Sequence, residues 1–209
     1  MSGGLRWRRR RVVRRGLWQG DWYRPARWVP SPNFGPRPVG LAVRLAVMHS
    51  ISLPPGRYGG DAIERFFTNR LDPAGHPYFA GLAGVAVSAH FLVRRDGEIV
   101  QFVGIGERAW HAGTSVWRGV PNCNDYALGI ELEGLEGRQF EAAQYRAAAR
   151  LLRDAASVWP VAEVVGHEHV APGRKGDPGP GFDGRRLVRL LRRSMVQSAW
   201  SVRDLSMGH

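Results

Sequence analysis

The stretch Gly166-His167-Glu168-His169-Val170-Ala171-Pro172-Gly173-Arg174-Lys175-Gly176-Asp177-Pro178-Gly179-Pro180 constrains this chain more than any other. It gathers two imidazoles, an ammonium and two carboxylates in a segment held by Pro and Gly. Pro fixes φ and Gly permits positive φ, so such a loop can aim side chains in directions a helix cannot. The apolar run over 162–165 just before it reads as a buried strand. A polar loop at a strand end is where α/β folds place their chemistry. His167 and Asp177 are donors suited to zinc, and a catalytic zinc takes three protein ligands plus a water. The remaining ligand must come from elsewhere in the chain.

Lys175 adds a second clue. The chain has 30 Lys and Arg residues, and Lys175 is the one lysine among them. An ammonium is a compact point charge, whereas a guanidinium is a wide planar fork. Chance is the bland explanation; a chemical need for the compact cation is the sharper one.

The formal net charge of +12 raises the question of a nucleic-acid or membrane partner. Seven of those charges are Arg6, Arg8, Arg9, Arg10, Arg11, Arg14 and Arg15, which leaves +5 for everything else. The charge is therefore an arm, expected to be disordered, with at most a weak polyanion contact. The short, polar stretch after it does not read as the apolar core of a secretory signal. No apolar run approaches the roughly 18 residues a membrane helix needs. A single cysteine, Cys123, excludes an internal disulfide and a cysteine-built zinc knuckle, and suits a reducing compartment.

Along the chain, residues 1–40 show no helical or strand period, and Pro25, Pro30, Pro32, Pro36 and Pro38 keep them extended. Trp18, Trp22 and Trp28 are expected to pack this segment onto the domain. The run 41–48 reads as an inner strand ending at His49. His49 is a candidate ligand, although a satisfied loop or core histidine explains its position alone at least as well. A short helix is expected over 61–67, and strands over 87–93 and 98–103 flank the hairpin signal Asp96-Gly97. His90 on the first of these is as readily a core histidine as a functional one. Trp110 and His111 sit among small residues and could wall a pocket, or simply pack.

The run 128–134 reads as a strand with Glu131 and Glu133 on one face and Ile130 and Leu132 on the other. A carboxylate deep in a domain is costly unless paired or functional. Glu131, further from the exit turn, is the functional candidate. A long helix over 140–159 stops at Pro160, and a last helix is expected over 183–193. The organisation expected is an arm over 1–28, one domain over 29–193 and a tail over 194–209.

Taken together, "MHSISLPPGRYGG", "HPYF", "VSAHFLVRRDGEIVQFV", "AWHAG", "CNDYALGIELEG" and "GHEHVAPGRKGDPGP" resemble the zinc-dependent N-acetylmuramoyl-L-alanine amidases of the AmpD type. The resemblance implies an α/β single domain: a mixed central β-sheet flanked by helices, with a zinc site in a groove at one side. It implies Zn2+ bound by His49, His167 and Asp177, Glu131 as the catalytic acid–base and Lys175 as the oxyanion partner. The implied reaction cleaves the amide between the lactyl group of 1,6-anhydro-N-acetylmuramic acid and L-alanine. The implied setting is cell-wall recycling in the cytoplasm; a monomer is expected, with no membrane partner and no nucleic acid beyond the arm's weak contact.

Ser50, Trp110, His111 and Arg118 are the expected substrate contacts. Two positions depart from the family pattern: Ala86 and Asn122 stand where arginines are expected to grip peptide carboxylates, and Arg118 could compensate. Two rival readings are a non-catalytic muropeptide sensor, which would have no use for all five residues, and a periplasmic amidase acting on polymeric wall.

Overall fold

The computed structural model describes residues 15–192. Its central sheet has six strands: β1 (Arg27–Trp28), β2 (Leu45–Ile51), β3 (Phe91–Val93), β4 (Ile99–Gln101), β5 (Ala127–Glu133) and β6 (Glu163–Gly166). The helices are α1 (Ala62–Phe67), α2 (Pro77–Ala80), α3 (Ala142–Ala156), α4 (His167–Val170) and α5 (Gly184–Arg192). The strand order is β6-β2-β5-β3-β4-β1. The pairs β6–β2, β2–β5, β5–β3 and β1–β4 are parallel and the hairpin β3–β4 is antiparallel, so the sheet is mixed.

The inner strands are buried on both faces, as near-continuous apolar runs require. Alternation sends Met48, Ile130, Leu132 and Val164 to the face covered by α3 and α5. Leu151 and Leu152 of α3 and Leu187 of α5 meet them there. Burying one such leucine fully is worth about 1.5–3 kcal/mol, so this face carries much of the stability. The other face holds Leu45, Val47, Ala127 and Val165 in one cluster, and Leu92 and Val100 against α1 in another. His49, Glu131 and Glu133 fall on this second face by the same period of two.

Gln144 pins α3 to the sheet. Its Oε1 accepts the Glu141 N–H at 2.9 Å, closing the helix start, while its Nε2 donates to Val93 O and Glu133 O at 3.1 and 3.0 Å. The helix thus begins where β3 and β5 end, two residues later than its apolar period suggests.

Several boundaries differ from expectation. β2 starts at Leu45 and runs through His49 to Ile51, because residues 41–44 have no strand partner while Ser50 and Ile51 pair with Leu132 and Glu133. The strand expected over 87–93 keeps only Phe91–Val93, since Ser88 N–H donates instead to Trp110 O at 3.1 Å. The Pro- and Gly-held stretch over 166–180 opens with the single helical turn α4. Residues 16–28, grouped with the arm on composition, pack into the domain. Trp18 meets Trp159 edge-on with ring centroids 4.5 Å apart, and the fully buried Tyr23 donates its hydroxyl hydrogen to Asp154 at 2.7 Å. The arginines over 6–14 and the tail over 194–209 lie outside the described residues.

Candidate functional site

Three side chains from three elements meet at the carboxyl ends of the parallel strands. His49 comes from β2, His167 opens α4 directly after β6, and Asp177 lies in the loop beyond. His49 Nδ1 is 2.9 Å from His167 Nδ1 and 3.3 Å from Asp177 Oδ2, and His167 Nδ1 is 3.1 Å from Asp177 Oδ1. One donor atom from each lies within 4.8 Å of the others, with both histidines buried. Two imidazole nitrogens cannot turn lone pairs on each other at 2.9 Å without a cation to share. A partly buried carboxylate in the same cluster supplies opposite charge, so the set suits a metal ion.

The electrostatics agree. Burial, which disfavours imidazolium, pushes His49 down to about 4, so its ring is neutral and can act as a ligand. Burial alone would raise the Asp177 carboxyl, but its contacts with His167 and His49 outweigh that and hold it well below the usual range. His167 Nε2 lies 3.1 Å from Ala112 O. A carbonyl only accepts, so Nε2 carries the proton and Nδ1 presents its lone pair to the cluster.

Glu131 stands beside His49 in the β2–β5 register. Its Oε2 is buried without a hydrogen-bond partner among the described residues. Burial raises its carboxyl well above normal, the Asp177 charge adds to that, and Lys175 opposes it. Lys175 is exposed on the loop after α4, its backbone N–H donating to Ala171 O at 3.0 Å, and its charge bears on both Glu131 and His49. Glu133, on the same face two residues on, is engaged instead: its carboxylate accepts from Gly59 N–H at 2.6 Å and Arg94 Nη1 at 3.2 Å.

The expected substrate contacts divide. His111 joins the cluster, its Nδ1 3.0 Å from His49 Nε2, and Trp110 precedes it, partly exposed. Ser50 does not join it, because strand alternation turns its side chain to the face opposite His49. Arg118 does not either. Its guanidinium is bound 2.8 Å from Glu163, whose register partner is Leu45, at the far end of β2 from His49. His90 is a core histidine, its Nδ1 accepting from Gly129 N–H at 3.0 Å and its Nε2 lying 3.0 Å from Glu107 O and 2.9 Å from Arg37 Nη2.

Two further contributors escaped the sequence reading. Asn124 Oδ1 accepts the N–H groups of His111 and Ala112 at 3.1 and 2.8 Å, and Arg174 donates to Thr114 O at 2.8 Å and to Ala112 O. The available signal was only an amide in the "CND" turn and an arginine beside Lys175.

Residues 39–180 match the family described as N-acetylmuramoyl-L-alanine amidase. The chain is 48% identical over 172 residues to the 1,6-anhydro-N-acetylmuramyl-L-alanine amidase AmpD of Citrobacter freundii, covering 81% of this chain and 92% of that protein. It is 47% identical over 177 residues to AmpD of Escherichia coli K12, covering 84% and 97%. Among solved structures, a selenomethionine AmpD derivative superposes with TM-score 0.81 at 47% identity, covering 84% of this chain and 99% of that one. The Escherichia coli amidase AmiD, solved with anhydro-N-acetylmuramic acid-L-Ala-D-gamma-Glu-L-Lys, gives TM-score 0.53 at 29% identity, covering 74% and 60%.

Proposed function

The chain belongs to the N-acetylmuramoyl-L-alanine amidase family, and from that premise we propose how its residues divide the work of hydrolysis. The bond cleaved is the amide between the lactyl group of 1,6-anhydro-N-acetylmuramic acid and L-alanine, in cell-wall recycling. The recycling role implies the cytoplasm as the place of action. Among the described residues, no helix is long and apolar enough to cross a membrane.

His49, His167 and Asp177 would hold the metal, and zinc is the ion that suits them. Two imidazoles and a carboxylate are an accepted catalytic zinc set, with donors about 2.0–2.2 Å from the ion and hence roughly 3.3 Å from one another. The separations of 2.9 to 3.3 Å between these atoms support that fit. When bound, zinc supplies Lewis acidity that lowers the pKa of a water and polarises a carbonyl.

The chain's own residues supply the rest. Glu131 accepts a proton from the attacking water and returns it to the departing alanine nitrogen. A carboxyl raised by burial lies nearer neutrality than an ordinary one, which suits it to both transfers. Lys175 donates to the oxygen on which negative charge builds. Trp110, partly exposed, borders the space the substrate enters.

The observation that carries this reading is the convergence of two buried imidazoles and a carboxylate beside a buried carboxyl that has no partner of its own. The test is mass spectrometry of peptide released from an anhydromuramoyl tripeptide. Turnover should vanish with a chelator, return with zinc and be absent in His167→Ala. Turnover indifferent to chelation would sink the metal reading.

A further inference from the structure

We propose that His111 is a positioning residue for the metal centre: its Nδ1 accepts the Nε2–H of His49 and locks that ring with its Nδ1 lone pair facing His167 and Asp177. The inference rests on the metal reading above and extends it to a residue that the sequence assigns to the substrate.

A neutral imidazole carries one N–H. If His49 binds through Nδ1, the atom that faces His167 and Asp177, its proton must sit on Nε2. That N–H is buried and needs an acceptor, and His111 Nδ1 lies 3.0 Å away. His111 must then carry its own proton on Nε2. The opposite arrangement, with His111 donating, would put the His49 proton on Nδ1 and abolish the ligand.

The fold makes room for this contact. Gly129, paired with Val47 on the neighbouring strand, lies under the His111 ring. A Cβ there would meet His111 Cγ at 2.4 Å and Cδ2 at 2.6 Å, so the ring reaches His49 only over a residue without a side chain. Asn124 Oδ1 fixes the backbone of His111 and Ala112 through both their N–H groups. Ala112 O, one residue on, lies 3.1 Å from His167 Nε2 and takes its proton. Two consecutive residues thus set the tautomers of both imidazole ligands. Such outer partners fix ring orientation and raise ligand basicity.

The Nε2 of His111 is buried with no hydrogen-bond partner among the described residues. A ring present only to fill space would be better as Phe, which leaves no such group stranded. The useful atom is Nδ1.

The experiment measures zinc dissociation constants of the full chain by competition with a chromogenic chelator, with melting of the metal-free protein as the folding control. His111→Phe keeps a ring and loses the acceptor; His111→Asn keeps an oxygen near the place of Nδ1. His111→Phe should bind zinc about 10–100-fold more weakly, the usual effect of losing an outer-shell partner, and His111→Asn should recover most of that. Gly129→Ala, which displaces the ring, should weaken zinc binding similarly. If His111→Phe does not fold, His111→Gln, whose amide cannot reach the place of Nδ1, replaces it with the same expectation. A folded variant without the acceptor that binds zinc as tightly as wild type overturns the inference while leaving the metal reading intact. A wild type that takes up no zinc overturns both.

Discussion

Glu131 and His49 are register partners on two adjacent parallel strands, so a carboxyl and a candidate ligand leave the same face of the sheet side by side. The strand period then brings Glu133 to that face as well, two residues further on. The two glutamates differ in their surroundings. Glu133 is held by Arg94 and Gly59, whereas Glu131 Oε2 has no partner among the described residues.

Glu131→Gln should therefore keep the fold and stoichiometric zinc while kcat falls by about 10²–10⁴, the range for losing an acid–base group. Glu133→Ala should do the reverse. It strands the Gly59 N–H and removes one of the three carboxylates around Arg94, which Glu64 and Glu98 still hold, so the loss should fall on stability, by about 1–3 kcal/mol. Paired measurements of kcat and denaturation midpoint would separate them. Equal loss of kcat in both variants would deny Glu131 its assigned role.

Tyr23 predicts where the domain begins. Its ring is fully buried and its hydroxyl donates to Asp154 of α3. Tyr23→Phe should destabilise by about 1–3 kcal/mol, because Asp154 loses a buried donor. Deleting residues 1–24 removes Trp18 as well and should lower the melting temperature far more than deleting residues 1–14. A melting temperature unchanged by the longer deletion would return residues 15–24 to the arm.

Acid should weaken the fold through His90. Burial, followed by the nearby Arg37 charge, pushes its imidazole down to about 3 in the folded protein. The unfolded chain takes up that proton near pH 6.5, so below that pH the unfolded state binds more protons than the folded one. Stability therefore falls as pH drops from about 6.5 towards 3, by at most about 1.4 kcal/mol per pH unit for this group. His90→Gln should lower stability at pH 7, where the ring's contacts with Gly129, Glu107 and Arg37 are disturbed, but show a shallower loss between pH 7 and pH 5. Identical slopes in urea titrations of the two proteins would remove His90 from the account.

Much of this was legible in the sequence because strand periodicity and loop chemistry are local. The apolar runs located the inner strands, and the alternation in Ile130-Glu131-Leu132-Glu133 placed both carboxylates on one face before any register was known. What stayed hidden was tertiary. Arg37 reads as one more arginine in a proline-rich segment. In the fold its guanidinium is partly buried and donates to Ile105 O, Asn124 O and Ala127 O, and burial lowers it to about 10. Arg118 could compensate for Asn122 on paper, but Glu163 holds it at the other end of the sheet. His111 carried no mark that distinguished a pocket wall from a partner of His49, since that depends on a strand, Gly129, eighteen residues away.

Lys175→Arg is the sharpest test of the mechanism. The chain uses arginine everywhere else, so a position needing only positive charge had no evident reason to be lysine. The assigned task is donation to an oxygen on which charge builds during attack, which calls for a compact donor. A guanidinium is wider and prefers bidentate contact with a carboxylate, and Glu131 is within electrostatic reach. Lys175→Arg should keep fold and zinc yet lose at least about tenfold in kcat, with KM moving less, as expected when an interaction made mainly in the transition state is lost. Lys175→Ala should approach the ~10²–10³ loss typical of a missing oxyanion donor. Single-turnover rates of the zinc-loaded variants against anhydromuramoyl tripeptide give the comparison. Wild-type rates in Lys175→Arg would make the ammonium an ordinary exposed charge and move the oxyanion role to another group.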